Sequence, residues 1–87
     1  MYEVLLYPDA QAVYTSADKA LSNKIARCLQ QLEQTPLLHP NIKALKGDYA
    51  GYYRYRIGNY RVIYSVDEEI VKVLVVTIVK RGEAYES

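Results

Sequence analysis

The chain has 87 residues, of which 51% are hydrophobic and 24% are charged, and its formal net charge is +1. This length predicts one small domain over residues 1–87, and the weak net charge excludes a uniformly basic nucleic-acid-binding protein. One cysteine and one histidine exclude an internal disulfide, a catalytic histidine pair and a multi-histidine metal site, so we expect neither a metal nor a small-molecule cofactor.

The N-terminal segment predicts a strand over residues 2–7, which have β-type composition and are followed by Pro8. This segment lacks the charged region and apolar core of a signal peptide. No apolar run approaches the ~20 residues that span a bilayer. We therefore expect a cytoplasmic protein that does not bind membranes.

Two helices are predicted next, a short one over about residues 9–15 and a longer one that ends near residue 34. Ser16 or Asp18 can cap the second helix. Its apolar residues recur at helical spacing and form one stripe, which we expect to pack on a sheet: Ala17, Leu21, Ile25, Cys28, Leu29 and Leu32. A lone cysteine in such a stripe is expected to be a packing residue rather than a nucleophile.

Residues 35–40 contain two prolines and predict an irregular link. We expect His39, which lies in this link, to be a loop residue rather than a general base. Residues 41–45 are predicted to form either a short strand or an extended loop.

The most informative segment is residues 51–64, GYYRYRIGNYRVIY. Gly58-Asn59 between two alternating runs predicts a two-residue β-hairpin loop. In that register Arg56 pairs with Arg61, and Arg54 pairs with Ile63.

Alternation along the strands places Arg54, Arg56 and Arg61 on one sheet face, which we call the arginine face. Tyrosine, isoleucine and valine side chains alternate onto the other face. We expect these arginines to be exposed, and exposed arginines are often only a solvated surface. Three like charges on one face repel, however, so an anionic, phosphate-bearing ligand is the natural occupant.

Residues 70–79 carry apolar side chains at both odd-numbered and even-numbered positions, which predicts a central strand covered on both faces. Helices cover one face, so the other lies under tyrosine side chains or awaits a partner. A loop of residues 67–68 would put the odd-numbered residues of this strand on the sheet face that does not carry Arg61. A loop of residues 67–69 would put them on the same face as Arg61. The predicted fold is α+β, a small antiparallel sheet with two N-terminal helices packed on one face.

One pattern runs from LKG through three residues to GYYRYRIGNYRVIY, and then to an apolar strand ending in VKR and a tyrosine four residues later. This pattern resembles the RelE/ParE superfamily of bacterial type II toxins. The resemblance covers most of the chain. RelE-like members are metal-independent ribonucleases that cut mRNA in the ribosomal A site, and ParE-like members are gyrase poisons.

The resemblance to the RelE-like branch implies catalytic positions at Arg54, Arg56, Arg61, Arg81 and Tyr85. The chain departs from the best-known relatives by having arginine where they have lysine on the first hairpin strand, and by being less basic. Arginine rarely releases its proton, so Tyr85 is the leading titratable candidate, or it stacks on a base.

Lys43 and Lys46 are predicted to contact RNA phosphates outside the reacting centre. The implied partners are a RelB-like antitoxin, the ribosome and mRNA. The first alternative is a ParE-like gyrase inhibitor without nuclease activity. The second is an inactive RNA-binding or protein-binding module that keeps the fold.

Overall fold

The structure is a computed structural model and describes residues 1–82. Two helices, Pro8–Ser16 (α1) and Lys19–Gln34 (α2), pack on one face of a five-stranded sheet. The strands in chain order are Glu3–Leu6 (β1), Ile42–Ala44 (β2), Tyr53–Ile57 (β3), Tyr60–Asp67 (β4) and Lys72–Lys80 (β5). The order in the sheet is β1-β5-β4-β3-β2. The predicted α+β class with two N-terminal helices on one face is confirmed.

The sheet is mixed, which differs from the antiparallel sheet expected from the sequence. The pairs β2–β3, β3–β4 and β4–β5 are antiparallel, but β1 runs parallel to β5, with Glu3 opposite Lys72. The chain passes through both helices and the other strands before β5 returns beside β1. Each helix is too short or too polar to cross a membrane, a finding that concerns the described part of the chain.

The second helix begins as the sequence predicts, because the Asp18 carboxylate accepts a hydrogen bond of 2.8 Å from the backbone N–H of Leu21. Its predicted apolar stripe is confirmed, with Ile25, Cys28 and Leu32 fully buried against the sheet. The residues from the sheet that complete this core are Tyr55, Ile57, Val62, Tyr64, Val73, Val75 and Ile78.

Burial raises the pKa of the Cys28 thiol to about 12. The thiol therefore stays protonated in the folded chain at pH values where it ionises in the unfolded chain, above about 8.5. We expect stability to be unaffected by this group below that pH and to decline as the pH rises toward 12. The melting temperature should fall less steeply with alkaline pH in Cys28→Ala than in the wild type, and parallel curves would contradict the assignment.

Tyr64 joins the sheet to the proline-containing link. Its side chain is fully buried, and its hydroxyl donates a hydrogen bond of 2.7 Å to the carbonyl of Pro36. Tyr64→Phe should lower the free energy of unfolding by about 1 kcal/mol, because the buried carbonyl loses its donor. In urea unfolding, the same change at the more exposed Tyr7 should have little effect, and equal losses would contradict the role of the Pro36 contact.

The arginine face is partly covered by tyrosines of the same chain. Ile63 on this face is only 1% exposed, and it lines a cavity of about 250 Å³ together with Tyr49, Tyr52 and Val76. Other apolar residues of β5 on this side remain half-buried. Tyrosines therefore account for part of the cover that the two-sided apolar strand requires.

The connection between β4 and β5 differs from both loops considered from the sequence. Asp67 pairs with Lys72, so residues 68–71 form a four-residue loop. A register shift between Ile63 and Tyr64 then moves the odd-numbered side chains of β5 from one sheet face to the other. Odd residues of β5 face the helices before this bulge and share the face of Arg61 after it.

Candidate active site

The predicted hairpin is confirmed residue by residue. Ile57 lies opposite Tyr60, Arg56 opposite Arg61, and Arg54 opposite Ile63. Gly58 has φ +58°, the left-handed value required at the first central residue of a type II′ turn. The three arginines therefore belong to one sheet face, away from the two helices.

Lys43 joins the arginines on this face, because β2 pairs with β3 and places Lys43 directly opposite Arg54. Its side chain is exposed. Lys46 is also exposed but lies beyond β2, next to the 3₁₀ turn Gly47–Tyr49. The structure thus brings Lys43 to the arginine face, whereas Lys46 lies outside the paired strands.

Arg61 is buried, which corrects the expectation of three exposed arginines. Only 5% of its surface is accessible, and its Nη1 donates hydrogen bonds of 3.1 Å to the Tyr60 carbonyl and 3.5 Å to the Gly58 carbonyl. The tight turn leaves these backbone oxygens within reach of the guanidinium. Arg61 therefore supports the hairpin as well as carrying charge.

Arg54 and Arg56 differ in how available they are to a ligand. Arg54 is half-buried, and its Nη1 donates a hydrogen bond of 2.7 Å to the carbonyl of Asn41. The same carbonyl accepts a hydrogen bond of 3.0 Å from the Arg56 backbone N–H. The side chain of Arg56 is exposed, so it is the hairpin arginine most open to an incoming anion.

Arg81 follows β5 and lies beside the hairpin turn. Its backbone N–H donates a hydrogen bond of 2.6 Å to the Asn59 carbonyl, and its side chain is exposed. Arg81, one of the two tail residues expected to complete the site, therefore lies at the end of the hairpin. Tyr85 lies outside the described residues, so its position stays a prediction.

His39 does not contribute to the arginine face. Its ring stacks on Tyr55 with the centroids 5.1 Å apart, and its Nδ1 accepts a hydrogen bond of 3.1 Å from the Asn41 backbone N–H. This packing fits the loop position predicted from the sequence.

Two cations that the sequence analysis did not single out lie near the hairpin. Lys24 and Arg27 of α2 line a cavity of about 200 Å³ together with Arg56 and Asn41. Their spacing of three residues, which puts both on one side of a helix, is the signal that the sequence offered. Their proximity to β3 required the tertiary structure.

The arrangement favours phosphate binding over proton transfer. Directly opposed residues such as Arg56 and Arg61 have Cβ atoms about 5 Å apart, so their charges repel unless an anion lies close. Guanidinium groups bind phosphate through two parallel hydrogen bonds and stay charged. Burial raises the pKa of Tyr55 and Tyr64, and both face the helices, so neither can serve as a base at this face.

The sequence matches the family described as the ParE toxin of type II toxin-antitoxin system, parDE, over residues 6–85. Among curated proteins, none matches the sequence.

Solved structures similar to this one include toxins in complex with their antitoxins. The RelE–RelB complex from Pyrococcus horikoshii OT3 shares 28% identity and a TM-score of 0.81, covering 95% of this chain and 98% of that one. The RelBE2 complex from Mycobacterium tuberculosis shares 23% identity and a TM-score of 0.80, covering 92% and 98%. The isolated RelE toxin from E. coli shares 20% identity and a TM-score of 0.78, covering 97% and 88%.

Proposed function

We propose that this toxin, which belongs to the ParE toxin family of type II toxin–antitoxin systems, is an endoribonuclease that cuts mRNA in the ribosomal A site. The observation that carries the proposal is the directly opposed pair of Arg56 and Arg61, with Arg54 and Lys43 on the same face. Such a concentration of positive charge fits the phosphate of an RNA strand. The fold similarity to RelE toxins supports the same proposal.

The reaction needs no metal. The ribose 2′ oxygen attacks the adjacent phosphorus and loses its proton, the bond to the 5′ oxygen breaks, and that oxygen gains a proton. The products are a 2′,3′-cyclic phosphate and a 5′ hydroxyl. The protein must orient the 2′ hydroxyl in line with the leaving oxygen and stabilise charge on the phosphoryl oxygens.

The hairpin arginines are assigned to charge stabilisation. Arg56 is the most exposed and contacts the phosphate directly in this proposal, with Arg54 and Arg61 adding charge from more buried positions. Arg81 completes the cationic end near the turn. Lys43 and Lys46 hold phosphates along the strand. A tyrosine hydroxyl has an ordinary pKa of about 10, which makes Tyr85 the residue best suited to proton transfer.

Tyr85 has two possible roles that substitution separates. If it transfers a proton, Tyr85→Phe should lose most of the cleavage rate, because phenylalanine has no hydroxyl. If it stacks on a base, Tyr85→Phe should retain activity and Tyr85→Ala should not. Single-turnover cleavage by both variants measures the difference, and full activity in Tyr85→Ala would exclude the residue from the site.

A second candidate function is inhibition of DNA gyrase. The matched family is named for the ParE toxin. On the first hairpin strand the chain also has arginine where the best-known RelE-like relatives have lysine. An inhibitor of this kind binds a protein and performs no catalysis. Induced expression would then cause DNA damage signalling while mRNA stays intact.

Primer extension on mRNA after induced expression distinguishes these functions. The endoribonuclease should produce discrete new 5′ ends within coding regions, and these ends should disappear when translation initiation is blocked beforehand. Intact mRNA together with a DNA damage response would select gyrase inhibition instead.

We also propose that a RelB-like antitoxin binds this toxin. The similar structures that are themselves toxin–antitoxin complexes support a partner of this kind. Half-buried apolar side chains of β5 on the arginine face offer surface for it to cover. Co-expression of the toxin with the protein from the neighbouring reading frame should yield a stable complex and restore growth.

A further inference from the structure

The edge of the hairpin continues into a cleft beneath the sheet. The pairing of β2 with β3 ends at Tyr55, and one further backbone hydrogen bond joins Arg56 to Asn41, so among residues 1–82 no strand pairs with Ile57 on this side of β3. A cavity of about 200 Å³ lies between this strand end and α2. Arg56, which belongs to the arginine face, also lines this cavity.

The cleft is strongly cationic. Lys24, Arg27 and Arg56 all line it, and no carboxylate of residues 1–82 does. Within the same residues, these three head groups make no ion pair or side-chain hydrogen bond. In contrast, the guanidiniums of Arg54 and Arg61 donate to backbone carbonyls.

The cleft opens next to the hairpin turn. A Cβ atom built on Gly58 would lie 3.6 Å from the Lys24 Nζ, so the ammonium group reaches the turn itself. Arg27 lies one helical turn further along the same side of α2. The cavity is smaller than the pockets of about 300–1,000 Å³ that enclose whole ligands, so a phosphate group suits it better than a nucleotide.

We infer that this cleft binds a backbone phosphate of the RNA strand, adjacent to the phosphate on the arginine face. The inference rests on the proposed function, because it takes the strand at the arginine face to be RNA. Arg56 borders both positions and provides the continuity between them. The RNA strand would then bend around the end of β3 toward α2.

Binding of a short, fluorescent 2′-O-methyl oligoribonucleotide to the full chain tests this inference, because the probe has no 2′ hydroxyl to react. The double variant Lys24→Gln/Arg27→Gln should bind it about tenfold more weakly at low salt than the wild type. The dependence of log affinity on log salt should become shallower by about 1.4, the value for two lost contacts to single-stranded phosphate. Lys19→Gln/Lys72→Gln is the matched control, since it removes the same charge at positions that do not line the cleft.

Equal weakening in the two double variants would overturn the inference, because net charge alone would then explain the loss. Unchanged binding in Lys24→Gln/Arg27→Gln, as expected if the cleft served an acidic protein, would also overturn it, as would a wild type that does not bind the probe. These outcomes are separable from the proposed function. If Lys24→Gln/Arg27→Gln binds the probe as the wild type does and the toxin still cuts mRNA, only the phosphate site in the cleft is refuted. If probe binding depends on Lys24 and Arg27 but the wild type never cuts mRNA, only the nuclease activity is refuted.

Discussion

Arg56→Ala should reduce ribosome-dependent mRNA cleavage by about 10²- to 10³-fold, the usual effect of removing one donor that stabilises transition-state charge. The side chain of Arg56 is exposed and lies on the arginine face opposite Arg61. Because exposed charges contribute little to folding, the melting temperature should change by no more than about 2 °C. Single-turnover cleavage and thermal unfolding of the same preparation measure both quantities.

Lys19→Ala is the control for this prediction, since it removes one exposed charge from the start of α2. It should cleave at nearly the wild-type rate. An Arg56→Ala protein that folds and cleaves as fast as this control would remove the arginine face from the reaction.

Arg61→Ala should have a different consequence, because it should lower both activity and stability. The Arg61 guanidinium is buried and donates to the carbonyls of Gly58 and Tyr60. Losing hydrogen bonds from a charged donor at a buried position costs about 1.5–3 kcal/mol, which in a domain of this size lowers the melting temperature by roughly 6–24 °C. Urea and thermal unfolding, compared with Arg56→Ala, measure this difference.

Arg61→Lys separates the two roles of this residue. Lysine keeps the positive charge but not the planar group that reaches two carbonyls, so stability should recover only in part. If Arg61→Ala were as stable as Arg56→Ala, the buried hydrogen bonds would contribute nothing to the hairpin.

Local sequence signals predicted the parts of the fold that depend on neighbouring residues. The Gly58-Asn59 turn determined the register of the hairpin, and therefore the face shared by Arg54, Arg56 and Arg61. The cap at Asp18 likewise depends on residues within one helical turn. In each case the physical cause lies within a few residues of the effect.

Features that depend on distant contacts were not accessible in the same way. The parallel pairing of β1 with β5 and the bulge at Ile63/Tyr64 follow from how the whole sheet assembles. The burial of Arg61 depends on side-chain geometry around the turn. The alternation of residues along a strand gives the face of a side chain but not how deeply it is buried. No local signal places Lys24 near the hairpin, because only the tertiary structure brings it beside Gly58.

If the arginine face cleaves RNA, the chemistry of the cut ends will show it. Purified toxin, ribosomes and a defined mRNA should be combined in the presence of a chelator that leaves ribosome-bound magnesium in place, and the products mapped. We expect an upstream fragment that ends in a 2′,3′-cyclic phosphate and a downstream fragment that begins with a 5′ hydroxyl, both formed about 10²- to 10³-fold more slowly with Arg56→Ala. Intact mRNA, together with inhibition of DNA supercoiling by gyrase in a parallel assay, would exclude RNA cleavage by the arginine face.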